Sequence, residues 1–116
     1  MKALNRTALR LKALDPMYQW VNYNAPGDTP FTLEEMNTDA TIYLIDELAC
    51  PETDIDKYLE KHFVRFFEQE LEDWCDDQSL WPEDLTFKRF CTWFEFETHS
   101  LITDFSKKEL LIEELD

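Results

Sequence analysis

Apolar and polar positions alternate from Thr7 to Leu14. Thr7, Leu9, Leu11 and Ala13 fall on one side and Arg10 and Lys12 on the other, the period-two pattern of a half-buried strand. Asp15-Pro16 then marks a helix start, because Asp caps free backbone N–H groups and Pro is pre-set for the first helical position. Met17, Trp20 and Val21 follow at helical spacing and carry the helix to about Tyr23. The stretch NAPGDTP, 24–30, reads as a loop and holds the one glycine. Thr32 to Glu35 adds a short helical turn. Residues 40–47, ATIYLIDE, form the second predicted strand, with Ile42 and Leu44 on one face and Tyr43 and Ile45 on the other.

The strongest periodic signal runs from Thr53 to Trp74 or Cys75. Ile55, Tyr58, Leu59, Phe63, Phe66, Phe67, Leu71 and Trp74 recur at spacings of three and four, which defines one broad apolar helix face. Residues 76–82 break the pattern. Thr86 opens a third helix with Phe87, Phe90, Cys91 and Phe94 at helical spacing, and Cys91 is expected to be buried there. A third strand follows over 95–103. Ser106 with Glu109 resembles a capping box, so 106–116 is expected to be an acidic C-terminal tail, either a weak helix or frayed. The order strand, helix, strand, helix, helix, strand predicts one α+β domain over 1–105. It is a two-layer arrangement of a three-stranded sheet with helices mainly on one face. Strand order is not readable from the pattern.

Composition narrows the class. Seventeen aromatics among 116 residues are too many for a disordered acidic chain. No apolar run approaches the roughly 20 residues of a membrane span. The three cysteines, Cys50, Cys75 and Cys91, are odd in number and widely spaced, which is no disulfide framework. The segment MKALNRTALRLKALD lacks the apolar stretch of a signal peptide. The expected compartment is therefore the reducing cytoplasm.

Charge changes the picture most. The formal net charge is -15, with 26 acids against 11 bases. Residues 1–12 carry four bases and no acid, and the rest of the chain carries seven bases against 26 acids. Such a balance argues against direct binding to nucleic acid or an anionic membrane, because phosphates attract cationic surfaces. Residues 68–84 hold eight acids and no Lys or Arg. Glu68, Glu72, Asp73, Asp76, Asp77, Glu83 and Asp84, with Trp81 as an aromatic anchor or core plug, form the candidate surface for a basic protein partner.

The segments LNRTALRL, YQWV, TIYLIDE and LEDW–SLWP–FKRFCTWFEFETHS resemble a group of small acidic bacterial proteins of uncharacterised function. The resemblance implies a single-domain cytosolic protein and carries over no catalytic or binding residue.

Other constellations are weaker. Asp73, Asp76 and Asp77 lack the spacing and glycine of a calcium loop. His62, Cys75, Cys91 and His99 lack the close pairs of a structural zinc site. No cofactor is expected. No nucleophile elbow or phosphate loop is present, so the catalytic candidates are single residues: Glu70, His62 and His99. Glu70 projects into the apolar arc of the long helix, where burial raises a carboxyl's pKa. A third surface is the uncovered sheet face, where Arg10 and Lys12 meet Glu95, Glu97 and His99, with Tyr43 as a docking anchor.

Three functions follow as expectations. The leading one is a non-enzymatic cytosolic interaction or regulatory module that presents acids to a basic partner, in one version as a nucleic-acid mimic. The second is a small enzyme or metal-dependent protein using a buried carboxylate or His. The third is a homo-oligomer associating through the open sheet, the chain being either monomer or homodimer.

Overall fold

The strand Arg6–Ala13 (β2) lies at the centre of the molecule, because it alternates so regularly that one side is wholly buried. Thr7, Leu9, Leu11 and Ala13 point inward, and the intervening residues are exposed or half-buried. In the computed structural model, which describes residues 1–24, 27 and 30–115, β2 pairs antiparallel on both sides. Its neighbours are Ile42–Asp46 (β3) and Phe94–His99 (β4), so the sheet order is β3-β2-β4. Two further short strands, Lys2–Ala3 (β1) and Thr103–Asp104 (β5), pair with each other beside this sheet.

Among the described residues four α-helices complete the α+β architecture: Asp15–Asn24 (α1), Leu33–Asn37 (α2), Pro51–Trp74 (α3) and Phe87–Trp93 (α4). They cover the inner face of the sheet. The α3 face supplies Ile55, Leu59, Phe67 and Leu71, all buried. Phe67 sits at the centre of the core, with ring centroids 5.5 Å from Phe90, 5.5 Å from Trp93 and 5.7 Å from Phe94. At these separations aromatic pairs add to plain burial.

The boundaries differ from expectation in instructive places. The helix α3 opens at Pro51, not Thr53, because proline occupies a position whose N–H would be free anyway. The Asp54 carboxylate then accepts the Cys50 N–H at 3.0 Å. The third strand begins and ends earlier than 95–103, since residues beyond His99 leave β2 and only 103–104 find a new partner in β1. Cys91 is exposed rather than buried. The seven-residue α4 gives its inner positions to Phe90 and its neighbouring aromatics, and the next residue turns outward. Residues 105–115 contain no helix or strand. Most of the predicted loop over 24–30 lies outside the described residues. Among the described residues no helix is long and apolar enough to cross a membrane.

Candidate functional site

Two polar groups meet on the helix-covered face. At position 43 the pairing with buried Leu9 turns the Tyr43 side chain inward. Glu70 lies on the inward side of α3, one turn before Trp74. The Tyr43 hydroxyl donates to the Glu70 carboxylate at 2.6 Å, and the Tyr43 ring stands edge-on to Phe66 at 5.0 Å. Tyr43 is therefore no anchor on the open sheet face. Its strand position pairs it with an inward residue, and its hydroxyl is committed to α3.

Burial pushes the Glu70 carboxyl up to about 7, against a smaller downward pull from the Tyr43 hydrogen bond and a further rise from Asp73. Burial, and then the adjacent Glu70 charge, hold the Tyr43 phenol above its ordinary value. Near neutrality Tyr43 thus keeps its proton, and Glu70 is the group that titrates.

Glu70 opens onto a cavity of about 270 Å³. This is far above the roughly 10–15 Å³ that holds one water, so an organic group fits. Its apolar floor includes Leu11, Met17, Met36, Trp74 and Phe94. Its polar rim is acidic: Glu35, Asp39, Glu70 and Asp73 line it, with no Lys, Arg or His among the described lining. Local structure fixes each acid. Glu35 belongs to a capping box, since its carboxylate accepts the Thr32 N–H at 3.0 Å while the Thr32 hydroxyl accepts the Glu35 N–H at 3.1 Å. Asp39 adopts a left-handed φ of 55°, which Asp tolerates better than most residues, and turns the chain from α2 toward β3. The Asp73 carboxylate accepts from the Gln69 amide at 2.9 Å, a pair one helical turn apart.

Asn37 closes the cavity's flank. Its carboxamide accepts the Ala13 N–H at 2.8 Å and donates to the Ala13 carbonyl at 3.1 Å. A side chain here does the work of a neighbouring strand, and it pins α2 to the end of β2. The Arg10 guanidinium also donates to the Asn37 carbonyl.

The acidic run splits around this site. Glu68, Glu72, Asp73, Asp76, Asp77, Glu83 and Asp84 are all exposed. Asp77 is partly engaged, because its carboxylate accepts from the Ser79 hydroxyl and N–H, and those bonds hold its pKa below the ordinary carboxylate value. Trp81 is half-buried against the core, and its indole N–H donates to the Cys75 carbonyl at 2.8 Å. It pins the acidic loop beneath α3. Trp20 makes a matching bond to the Leu80 carbonyl at 3.0 Å.

The catalytic candidates are not brought together. His62 stacks on Tyr58 at 4.5 Å, two helical turns from Glu70. His99 lies on the opposite face of the sheet, 3.3 Å from Glu97. Among the described residues no three His, Cys, Asp or Glu side chains form a metal-holding group. Burial, then the charge of Asp56, raises the Cys91 thiol. That direction reduces its thiolate fraction.

Sequence reasoning found Glu70 and Asp73 but missed Tyr43 as a Glu70 partner, and missed Glu35, Asp39 and Asn37. One partial signal was present: a carboxyl inside an apolar helix face needs a partner when buried, and a strand phenol can serve once the fold turns it inward.

No protein-family model, curated protein or solved structure matches this chain. The functional reading therefore rests on its own residues.

Proposed function

We propose that the chain is a non-enzymatic cytoplasmic interaction module that grips a Lys or Arg side chain of a basic protein partner in the Glu70 cavity. The observation that carries this reading is the lining: four carboxylates around an apolar floor, with no cation among them. The methylene stem of a Lys or Arg suits the floor while its charged head meets the rim. Trp74 adds an aromatic surface that attracts a cation. The neighbouring exposed acids raise the encounter rate for a basic surface. The three free cysteines support a reducing compartment. The narrower nucleic-acid-mimic version needs carboxylates along one ridge. Asp73 lies about 140° around α3 from Glu68 at 3.6 residues per turn, so these acids point different ways and favour the broader reading.

The test compares two pairs of charge-neutralising substitutions with a labelled oligoarginine peptide as probe, read by fluorescence anisotropy. Glu70→Gln with Asp73→Asn should weaken binding by about tenfold, equivalent to about 1.4 kcal/mol. Measured at pH 8, where Glu70 is ionised, Glu52→Gln with Glu60→Gln, nearer the start of α3, removes about the same charge and should leave affinity within about a factor of two. Equal losses from both pairs would mean that only net charge attracts the peptide, and the reading would fall.

A further inference from the structure

Apart from α2, whose Asn37 carbonyl accepts from the Arg10 guanidinium, no helix among the described residues covers the sheet face turned away from the Glu70 cavity. On it, the side chains of Arg6, Ala8, Arg10 and Lys12 form a column along β2. Ile42 and Leu44 of β3 stand beside that column, 53% and 51% exposed. Glu95, Glu97 and His99 of β4 flank it on the other side. Arg10 meets Glu97 at 3.4 Å. The register sets Arg6 opposite Asp46 and Lys12 opposite Glu95. The cations and carboxylates of this face therefore balance, in a chain whose net charge is -15.

A second surface is also bare. Residues 105–115 leave β5 without a helix or strand of their own, and their large apolar side chains point into solvent. Phe105 is 81% exposed, Leu111 and Ile112 are 85% exposed, and Leu115 is 87% exposed. Exposed apolar side chains this dense along one short segment differ from scattered surface hydrophobes. Glu109, Glu113 and Glu114 interleave with these aliphatics.

The two surfaces complement each other. The segment offers aliphatics edged by carboxylates. The face offers Ile42 and Leu44 beside a column of cations. Within one chain both stay exposed. We infer that 105–115 of one copy packs across the open sheet face of a second copy, in a reciprocal two-fold exchange. Charge selects this arrangement over other self-contacts. Most of the surface repels another acidic copy, whereas the sheet face carries no net charge and so does not repel the segment, whose Lys107 and Lys108 against three glutamates leave it with a single negative charge. Reciprocity gives two identical contacts for one association, as closed two-fold symmetry requires. The exchange uses the face opposite the Glu70 cavity, so its failure leaves the partner reading untouched.

The experiment is sedimentation velocity on the full chain across micromolar concentrations, with two variants and their mixture. The intact chain should reach twice the monomer mass. Leu44→Asp spoils the face and keeps the segment; Leu111→Asp spoils the segment and keeps the face. Each alone should be monomeric, with unchanged circular dichroism. Their equimolar mixture restores one of the two contacts and should form a heterodimer, weaker than the intact dimer. Ile42→Asp, on the same edge strand, replaces Leu44→Asp if that variant unfolds. A chain that stays monomeric throughout overturns the proposal, including one whose segment folds onto its own sheet. So does a dimer that survives both substitutions. A mixture that remains monomeric also overturns it, since face-to-face or segment-to-segment pairing then accounts for the dimer.

Discussion

Glu70 is a carboxyl held where water is scarce, and its proton is the measure of that cost. Its folded pKa is raised to about 7 from an ordinary 4.5. The folded state therefore binds this proton more tightly than the unfolded chain does. Its contribution to stability is full below about pH 4.5, declines as pH rises, and is lost above about pH 7. The loss is on the order of 1–3 kcal/mol. Glu70→Gln keeps the shape and removes the titration. Urea midpoints at pH 5 and pH 8 should then show a pH-dependent drop in the intact chain that is smaller in the variant. Equal drops would show that Glu70 is ionised without cost. Tyr43→Phe has a distinct signature. It removes the one hydrogen bond that favours the carboxylate, so carboxyl NMR should find the Glu70 pKa higher still. Glu70 was legible in the sequence because it falls inside an apolar helical arc. Its partner was not, because a strand with apolar residues on both faces does not say which face is inward.

Among the elements, α3 and β2 announce themselves and the short pieces do not. A long helix repeats its apolar spacing often enough to be read, and β2 alternates over eight residues. A two-residue strand such as β1 has no period, and its partner lies a hundred residues away. The Ser106–Glu109 pattern left a weak helix and fraying both open, and no helix forms over 105–115, for a related reason. A cap satisfies backbone groups but buries nothing, and short helices depend on an apolar face packed against a neighbour. Packing also sets what each element contributes. Phe67 is fully buried among three aromatic rings, so Phe67→Ala should cost about 3–5 kcal/mol. A loss below about 1 kcal/mol by denaturant titration would mean the core closes over the gap. Asn37 works by a different mechanism, standing in for a strand at the end of β2. Asn37→Ala leaves the Ala13 N–H and carbonyl without that partner and should cost about 1–3 kcal/mol. It should also weaken oligoarginine binding, because α2 carries Glu35 and leads into Asp39. Unchanged binding in a destabilised variant would separate the cavity from that tie.

At the scale of the whole molecule, repulsion outweighs attraction. Among the described residues only Arg10–Glu97 and His99–Glu97 bring opposite charges within 4 Å. Against them stand 26 acids and a net charge of -15. The charge imbalance was plain in the sequence; the strand order that sets Asp46, Glu95 and Glu97 beside the three bases of β2 was not, because pairing is a long-range choice. Added salt screens like charges over a length of about 8 Å at physiological ionic strength. With few attractive pairs to weaken, screening mainly relieves self-repulsion, so the urea midpoint at pH 8 should rise as sodium chloride is added. The same screening weakens attraction between the acidic rim and a cationic peptide, so oligoarginine affinity should fall over that range. The two responses have opposite signs because one opposes charges within the fold and the other recruits charge from outside. A midpoint that falls with salt would mean that attractive pairs dominate the folded state. An affinity indifferent to salt would remove the carboxylates from the recognition step.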